Sequence, residues 1–247
     1  MWIATQDGLS RFDGVQFTSY IQSSLSKNAI SGSDVRDLLL DTLNNVVWAL
    51  YSYGGFDAIN YKTGEVTFKF QQAKFETTKN VLFNSFCIKD NRLLIASSGG
   101  LFSFDIESKK LNSVNFPSPF SNPSSGLWIN KILCDSIGYI WLFCNDDGIC
   151  IVQNKSLKLI SFLQKQDLTD NPRDSSISFF VCCEINNNVI IAGTAMGLKS
   201  FSLKDKTLTL DTSLKAVKSF LGKKNVYACY MDAKNNVWVA CEKYLLK

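Results

Sequence analysis

The chain has 247 residues, 46% of them apolar and 19% charged, and its 26 Lys and Arg against 22 Asp and Glu leave a formal charge of +4. That composition belongs to a globular protein with a sizeable core, and the charge is too mild and too dispersed to imply nucleic acid. No apolar run is long enough for a transmembrane helix, and Met1, Trp2, Ile3 and Ala4 do not read as a signal peptide. Histidine is absent, which excludes a His-containing triad, a His-ligated metal and the phospho-accepting His of a histidine kinase core.

Taken in chain order, the sequence keeps returning to one pattern. Trp2, Ile3, Ala4 and Thr5 open a strand, Gly8-Leu9 begins the next, and Asp13-Gly14 turns. After a polar linker at 21–34, Val35 to Leu40 alternates. Asp41 and Asn45 then turn into Val46, Val47 and Trp48, and Gly55-Phe56 follows. Lys62, Thr63 and Gly64 turn into the alternating Val66, Phe68 and Phe70. Beyond linker 71–80, Asp90 and Asn91 make a shorter turn before Leu94, Ile95 and Ala96, then Gly100-Leu101. Linker 113–126 carries Pro117, Pro119 and Pro123. It precedes Asp135, Gly138 and Trp141, then Gly148-Ile149. Linker 163–176 carries Pro172 and leads to Asn186, Ile190 and Ala192, then Gly197-Leu198. Linker 211–224 leads to Asp232, Asn236 and Trp238, after which Glu242 and Lys243 stand without a Gly.

The Trp-equivalent positions are 2, 48, 94, 141, 190 and 238, at intervals of 46, 46, 47, 49 and 48. Apolar residues alternate over short runs and turn signals recur every 8–12 residues or so, which favours strands over helices. Each copy reads as four strands, with Asp and Asn or Gly as turn residues. A four-stranded unit at this period is the pattern of a β-propeller. The fold class is therefore all-β, a propeller of four-stranded blades with residues 1–247 as one domain. Blade repeats fall near 1–34, 35–80, 81–126, 127–176, 177–223 and 224–247. Five Gly-led strands set the expectation of about five blades, as part of a seven-bladed ring; a closed five-bladed ring is the alternative. The repeated Trp is assigned to packing between blades, and Asp7, Asp13 and Asp41 to turns rather than catalysis.

The eight cysteines form no CxxC pair, so zinc-ribbon and thioredoxin readings fail. They read as small buried hydrophobes, with their thiol state open. No phosphate loop, metal-ligand cluster or nucleophile motif stands out; Gly54-Gly55 and Gly99-Gly100 are turn pairs. No cofactor is expected.

The run Trp2, Ile3, Ala4, Thr5, Gln6, Asp7, Gly8, Leu9, Ser10, Arg11, Phe12, Asp13, Gly14 resembles the first repeat of the two-component regulator propellers. The stretch from Asn28 through Ile30, Ser33, Asp34, Val35, Arg36 and Asp37 to Leu38 resembles the family's lead into its next blade. The resemblance is weaker where Leu94 and Ile190 replace Trp. It implies the periplasmic sensor domain of a hybrid two-component system of Bacteroidetes, dimeric in the full-length protein. Such a sensor takes a glycan or oligosaccharide and passes the change in dimer geometry to a kinase. At this length the chain would be a fragment, reaching the membrane only through downstream segments, and not itself an enzyme.

Glycan recognition combines an aromatic face with polar groups. Near the starts of the innermost strands, Asp34, Arg36, Trp128, Asn130, Lys131 and Tyr227 fit that description, and Trp128 is the one Trp outside the repeating slot. The competing functions are a protein-interaction scaffold and a propeller lyase or glycosidase, the latter disfavoured by the lack of His.

Overall fold

The computed structural model describes residues 1–23, 29–53, 55–71, 81–115, 127–145, 147–168, 178–186, 189–210, 221–222 and 224–247. The four prolines, Gly54, and Asn187 and Asn188 of the fifth turn lie outside them. The chain divides into two compact units, Met1–Ser113 and Val114–Lys247.

The first unit begins with a three-stranded sheet of β1 (Trp2–Thr5), β2 (Gly8–Phe12) and β3 (Phe17–Tyr20). The second sheet holds β4 (Val35–Asp41), β5 (Val46–Tyr51), β6 (Gly55–Asn60) and β7 (Val66–Gln71). The third holds β8 (Phe83–Lys89), β9 (Arg92–Ser97), β10 (Gly100–Asp105) and β11 (Lys110–Val114). In the second unit the fourth sheet holds β12 (Ile129–Cys134), β13 (Tyr139–Cys144), β14 (Gly148–Gln153) and β15 (Leu159–Gln164). The fifth holds β16 (Phe179–Asn186), β17 (Val189–Thr194), β18 (Gly197–Lys204) and β19 (Thr207–Leu210). The sixth holds β20 (Val226–Met231), β21 (Val237–Cys241) and β22 (Tyr244–Leu246). Neighbours in each sheet follow chain order, as in a meander.

The expected count of about five blades of a seven-bladed ring is thus corrected: the described residues carry six blade sheets. The missing Gly misled the count. Cys241 pairs with Tyr244 across a two-residue turn of Glu242 and Lys243, so β22 forms with Tyr244 where the other copies have Gly.

Register corrects one more position. Trp48 pairs with Ala58 and Trp141 with Ile151, each three residues past the Gly that opens the next strand. In the fifth sheet that position, Ser200, pairs with Ile191 rather than Ile190. Because side chains alternate across a strand, one residue's shift reverses the face. Ile190 packs with Trp141, back toward the fourth sheet, while Ile191 packs with Val226 and Val239, forward toward the sixth.

Strong burial on both faces gives the middle strands their continuous apolar runs, and every residue of β5 is buried. Trp48 and Leu50 pack with Phe83, Leu93 and Phe104 of the third sheet, whereas Ala49 and Tyr51 pack with Leu9 and Tyr20 of the first. Phe56 meets Phe104 edge-on at 4.9 Å between centroids. In the second unit, Trp141 and Phe143 pack with Phe179 and Phe201 of the fifth sheet.

Polar clamps fix the hairpins. Asp135 Oδ2 accepts the Trp141 indole N–H at 2.9 Å, while its Oδ1 accepts the backbone N–H of Gly138 and Tyr139 at 2.8 and 2.7 Å. The same division recurs when Trp48 donates to Asp41 at 3.2 Å and Trp238 to Asp232 at 3.0 Å. Asn45, Gly138 and Asn235 adopt the left-handed backbone conformation these turns need. Where Leu94 replaces Trp, Lys89 pairs with Arg92 across a two-residue turn of Asp90 and Asn91, both at positive φ. A second clamp closes the next turn: Thr5, Ser97 and Thr194 each donate a hydroxyl to the carbonyl of the following Gly at 2.7 to 2.8 Å.

Gly148 sits at φ +134°, and a Cβ there would stand 2.1 Å from the Leu163 carbonyl oxygen of β15. Gly148→Ala is expected to destabilise the protein by more than about 1 kcal/mol in urea unfolding. Asp135 is 2% exposed. Removing its carboxylate strands three N–H donors, so Asp135→Ala should cost about 1–3 kcal/mol by the same measurement.

The Trp238 N–H first, then the Asn236 amide, hold the Asp232 carboxyl below the usual carboxylate range. A depressed carboxylate stabilises the fold fully above its unfolded pKa, about 3.9, and loses that contribution as pH falls through the lower folded value. The difference in unfolding midpoint between the native chain and Asp232→Asn should therefore be present at neutral pH and shrink at strongly acid pH.

Candidate functional site

The first strand of each sheet from the second to the sixth carries a β-bulge at its start. Register slips between Val35 and Asp37, Phe83 and Ser85, Ile129 and Lys131, Phe179 and Val181, and Val226 and Ala228. A bulge adds one residue and re-aims it out of the regular alternation. The bulged residues are Arg36 and Asn84 in the first unit and Asn130, Phe180 and Tyr227 in the second. Just before four of these five strands, β4, β8, β12 and β16, a backbone bond anchors the chain. Ser52 donates to the Asp34 carbonyl at 3.0 Å, Ser98 to Leu82 at 2.9 Å, Asn145 to Trp128 at 3.0 Å and Ala195 to Ser178 at 3.2 Å. Each sheet thus presents one residue ahead of the strand and one at the bulge.

This frame accounts for most of the residues picked from the sequence. Asp34 and Arg36 lie in the first unit. The Asp34 carboxylate accepts the Ser52 hydroxyl, and Arg36 is exposed. Behind them, buried Asp57 accepts the Ser31 N–H at 2.7 Å, the Ser31 hydroxyl at 2.6 Å and the Tyr51 hydroxyl at 2.9 Å, pinning the approach to β4. Burial pushes the Asp57 carboxyl up against the pull of those bonds. Burial, and then the Asp57 charge, push the Tyr51 hydroxyl up as well.

Trp128, Asn130, Lys131 and Tyr227 fall together in the second unit, where β12, β16 and β20 are successive neighbours. Trp128 is 46% exposed, Tyr227 is 51% exposed, and Asn130 and Lys131 are half-buried. The Asn130 amide donates to the Phe179 carbonyl, tying β12 to β16. Phe180 stacks on Tyr227 with centroids 5.6 Å apart and rings 29° from parallel, tying β16 to β20. The Asn225 amide donates to the Tyr227 hydroxyl at 3.1 Å and to Glu242 Oε1 at 3.0 Å. Asn145 Oδ1, in the turn bonded to Trp128, is a buried acceptor without a hydrogen-bond partner. These neighbouring strand starts therefore carry two aromatic stations, Trp128 and the Phe180–Tyr227 stack, together with the Asn130 and Asn225 amides and Lys131.

Sequence reasoning missed Phe180, Asn225, Asn145 and Glu242. The repeat itself could have found the first two, since Phe180 holds the bulge position of Tyr227 and Asn225 the position of Trp128. Trp128, 46% exposed, buries far less than Trp141, 1% exposed, so Trp128→Ala should lower the urea midpoint clearly less than Trp141→Ala, which should cost about 3–5 kcal/mol.

Comparison with known proteins places the fold. No family model matches the chain, and no curated protein matches it. Among solved structures, the extracellular domain of the hybrid two component system BT3049 from B. thetaiotaomicron is 20% identical, with a TM-score of 0.68 over 98% of this chain and 31% of that one. The extracellular domain of BT4673 from the same organism is 13% identical, with a TM-score of 0.69 over 99% of this chain and 29% of that one. PorZ, a surface component of the type-IX secretion system of Porphyromonas gingivalis, is 13% identical, with a TM-score of 0.66 over 96% of this chain and 36% of that one. The chain spans about a third of the length of each. At these identities the likeness is one of fold, and the fold is a β-propeller.

Proposed function

We propose that this chain is part of a ligand-sensing propeller of a two-component signalling protein, and that it binds an extracellular oligosaccharide at the starts of β12, β16 and β20. The observation that carries the reading is the pair of aromatic stations, Trp128 and the Phe180–Tyr227 stack, on one run of neighbouring strands whose starts also carry Asn130, Lys131 and Asn225. Aromatic faces with a few placed polar groups suit a ligand of alternating apolar ring faces and hydroxyls. The likeness of fold to extracellular domains of hybrid two-component systems supports the setting. In this reading the chain performs no catalysis, sits in the periplasm, and works as a homodimer in the full-length protein. It signals to a kinase elsewhere in that protein, with Asp34 and Arg36 contributing contacts at the equivalent strand start of the first unit.

Calorimetric titration with a panel of oligosaccharides tests it. The native chain should bind at least one member. Trp128→Ala and Tyr227→Ala should each weaken that binding roughly tenfold, the equivalent of one stacked ring. Binding that both variants leave unchanged, or a panel with no binder, contradicts the assignment.

A further inference from the structure

The cysteines of β16 and β20 pack as the small apolar groups the sequence suggested, and their placement gives them a second capacity. Alternation sends the two adjacent thiols of β16 to opposite faces. Cys182 pairs with Ala192, which packs toward Trp141, and its Sγ points at the Ile132 carbonyl of β12, 3.9 Å away. Cys183 pairs with Ile191, which packs toward the sixth sheet. On β20, Cys229 pairs with Val239, whose side chain lies in that same inter-sheet cluster. Cys183 and Cys229 therefore meet in the one apolar cluster between neighbouring first strands, and each thiol perturbs the other. Cys183 is partly exposed and Cys229 is 8% exposed.

We propose that Cys183 and Cys229 form a redox-active dithiol that closes to a disulfide and fastens β16 to β20. The neighbouring Cys229 draws the Cys183 thiol below the usual thiol range, while Cys183 and burial push Cys229 up. Cys183 is thus the attacking group. Its thiolate attacks one sulfur of a small-molecule disulfide, forming a mixed disulfide and releasing one thiol. Cys229 gives up its proton and attacks the Cys183 sulfur, releasing the second thiol. Two protein thiols are oxidised and one external disulfide is reduced. The bond would lie three residues from Phe180 and two from Tyr227, so it would fix the spacing of the stacked rings. This inference stands whether or not those rings bind a saccharide, and an oxidising compartment would favour the closed form.

The test treats the full chain with glutathione disulfide, blocks remaining thiols with iodoacetamide and maps the peptides by fragmentation mass spectrometry. A Cys183–Cys229 cross-link is expected, kept in Cys182→Ser and lost in Cys183→Ser, a substitution at the more exposed partner. Oxidation should raise the thermal midpoint by roughly 5–10 °C, reversed by dithiothreitol and absent in Cys183→Ser. A Cys183 that stops at the glutathione adduct, a cross-link running through Cys182, or thiols that stay reduced would each overturn the proposal.

Discussion

The carboxylate shared between a turn and an indole is the interaction on which the rest of this structure leans. At Asp41, Asp135 and Asp232, one side chain closes the hairpin and holds the Trp, and at the first two of these the ring it holds, Trp48 or Trp141, packs toward the next sheet. Local turn chemistry and non-local packing are set by the same residue. Buried, charge-assisted bonds of this kind are costly to leave half made. The Trp and the long turn accordingly come together, and the copy that lacks Trp at position 94 shortens its turn to two residues.

Two-faced burial follows from that arrangement. A sheet that packs a large ring forward and apolar residues backward cannot fold alone, so each copy depends on its neighbours. The first strands pay no such debt along their whole length. Their bulged starts leave Arg36, Tyr227 and, ahead of β12, Trp128 exposed. The scaffold is thereby rigid where the strands pair and free to vary at five equivalent positions, which is where recognition chemistry can differ from blade to blade.

Periodicity made the repeating unit readable, because Asp, Asn or Gly, Trp and the following Gly sit on a nearly constant spacing. Three features escaped it. The sixth sheet was undercounted because Tyr244 replaces a Gly whose role is steric rather than obligatory at that turn. Ile190 was chosen over Ile191 because both are apolar, and only cross-strand pairing tells the two faces apart. The bulges leave no composition mark at all, since they arise from a mismatch in residue count between two strands. Of the candidate site, Trp128 was visible as an aromatic outside the repeat, whereas the Phe180–Tyr227 stack needed the alignment of β16 with β20.

The account divides the tryptophans by role, and indole N–H exchange measured by NMR tests that division most directly. The indole protons of Trp48, Trp141 and Trp238, each bonded to a carboxylate, should exchange slowly, while that of Trp128 should exchange at nearly the rate of a free indole. Rapid exchange at the three clamped rings, or protection at Trp128 equal to theirs, would contradict it.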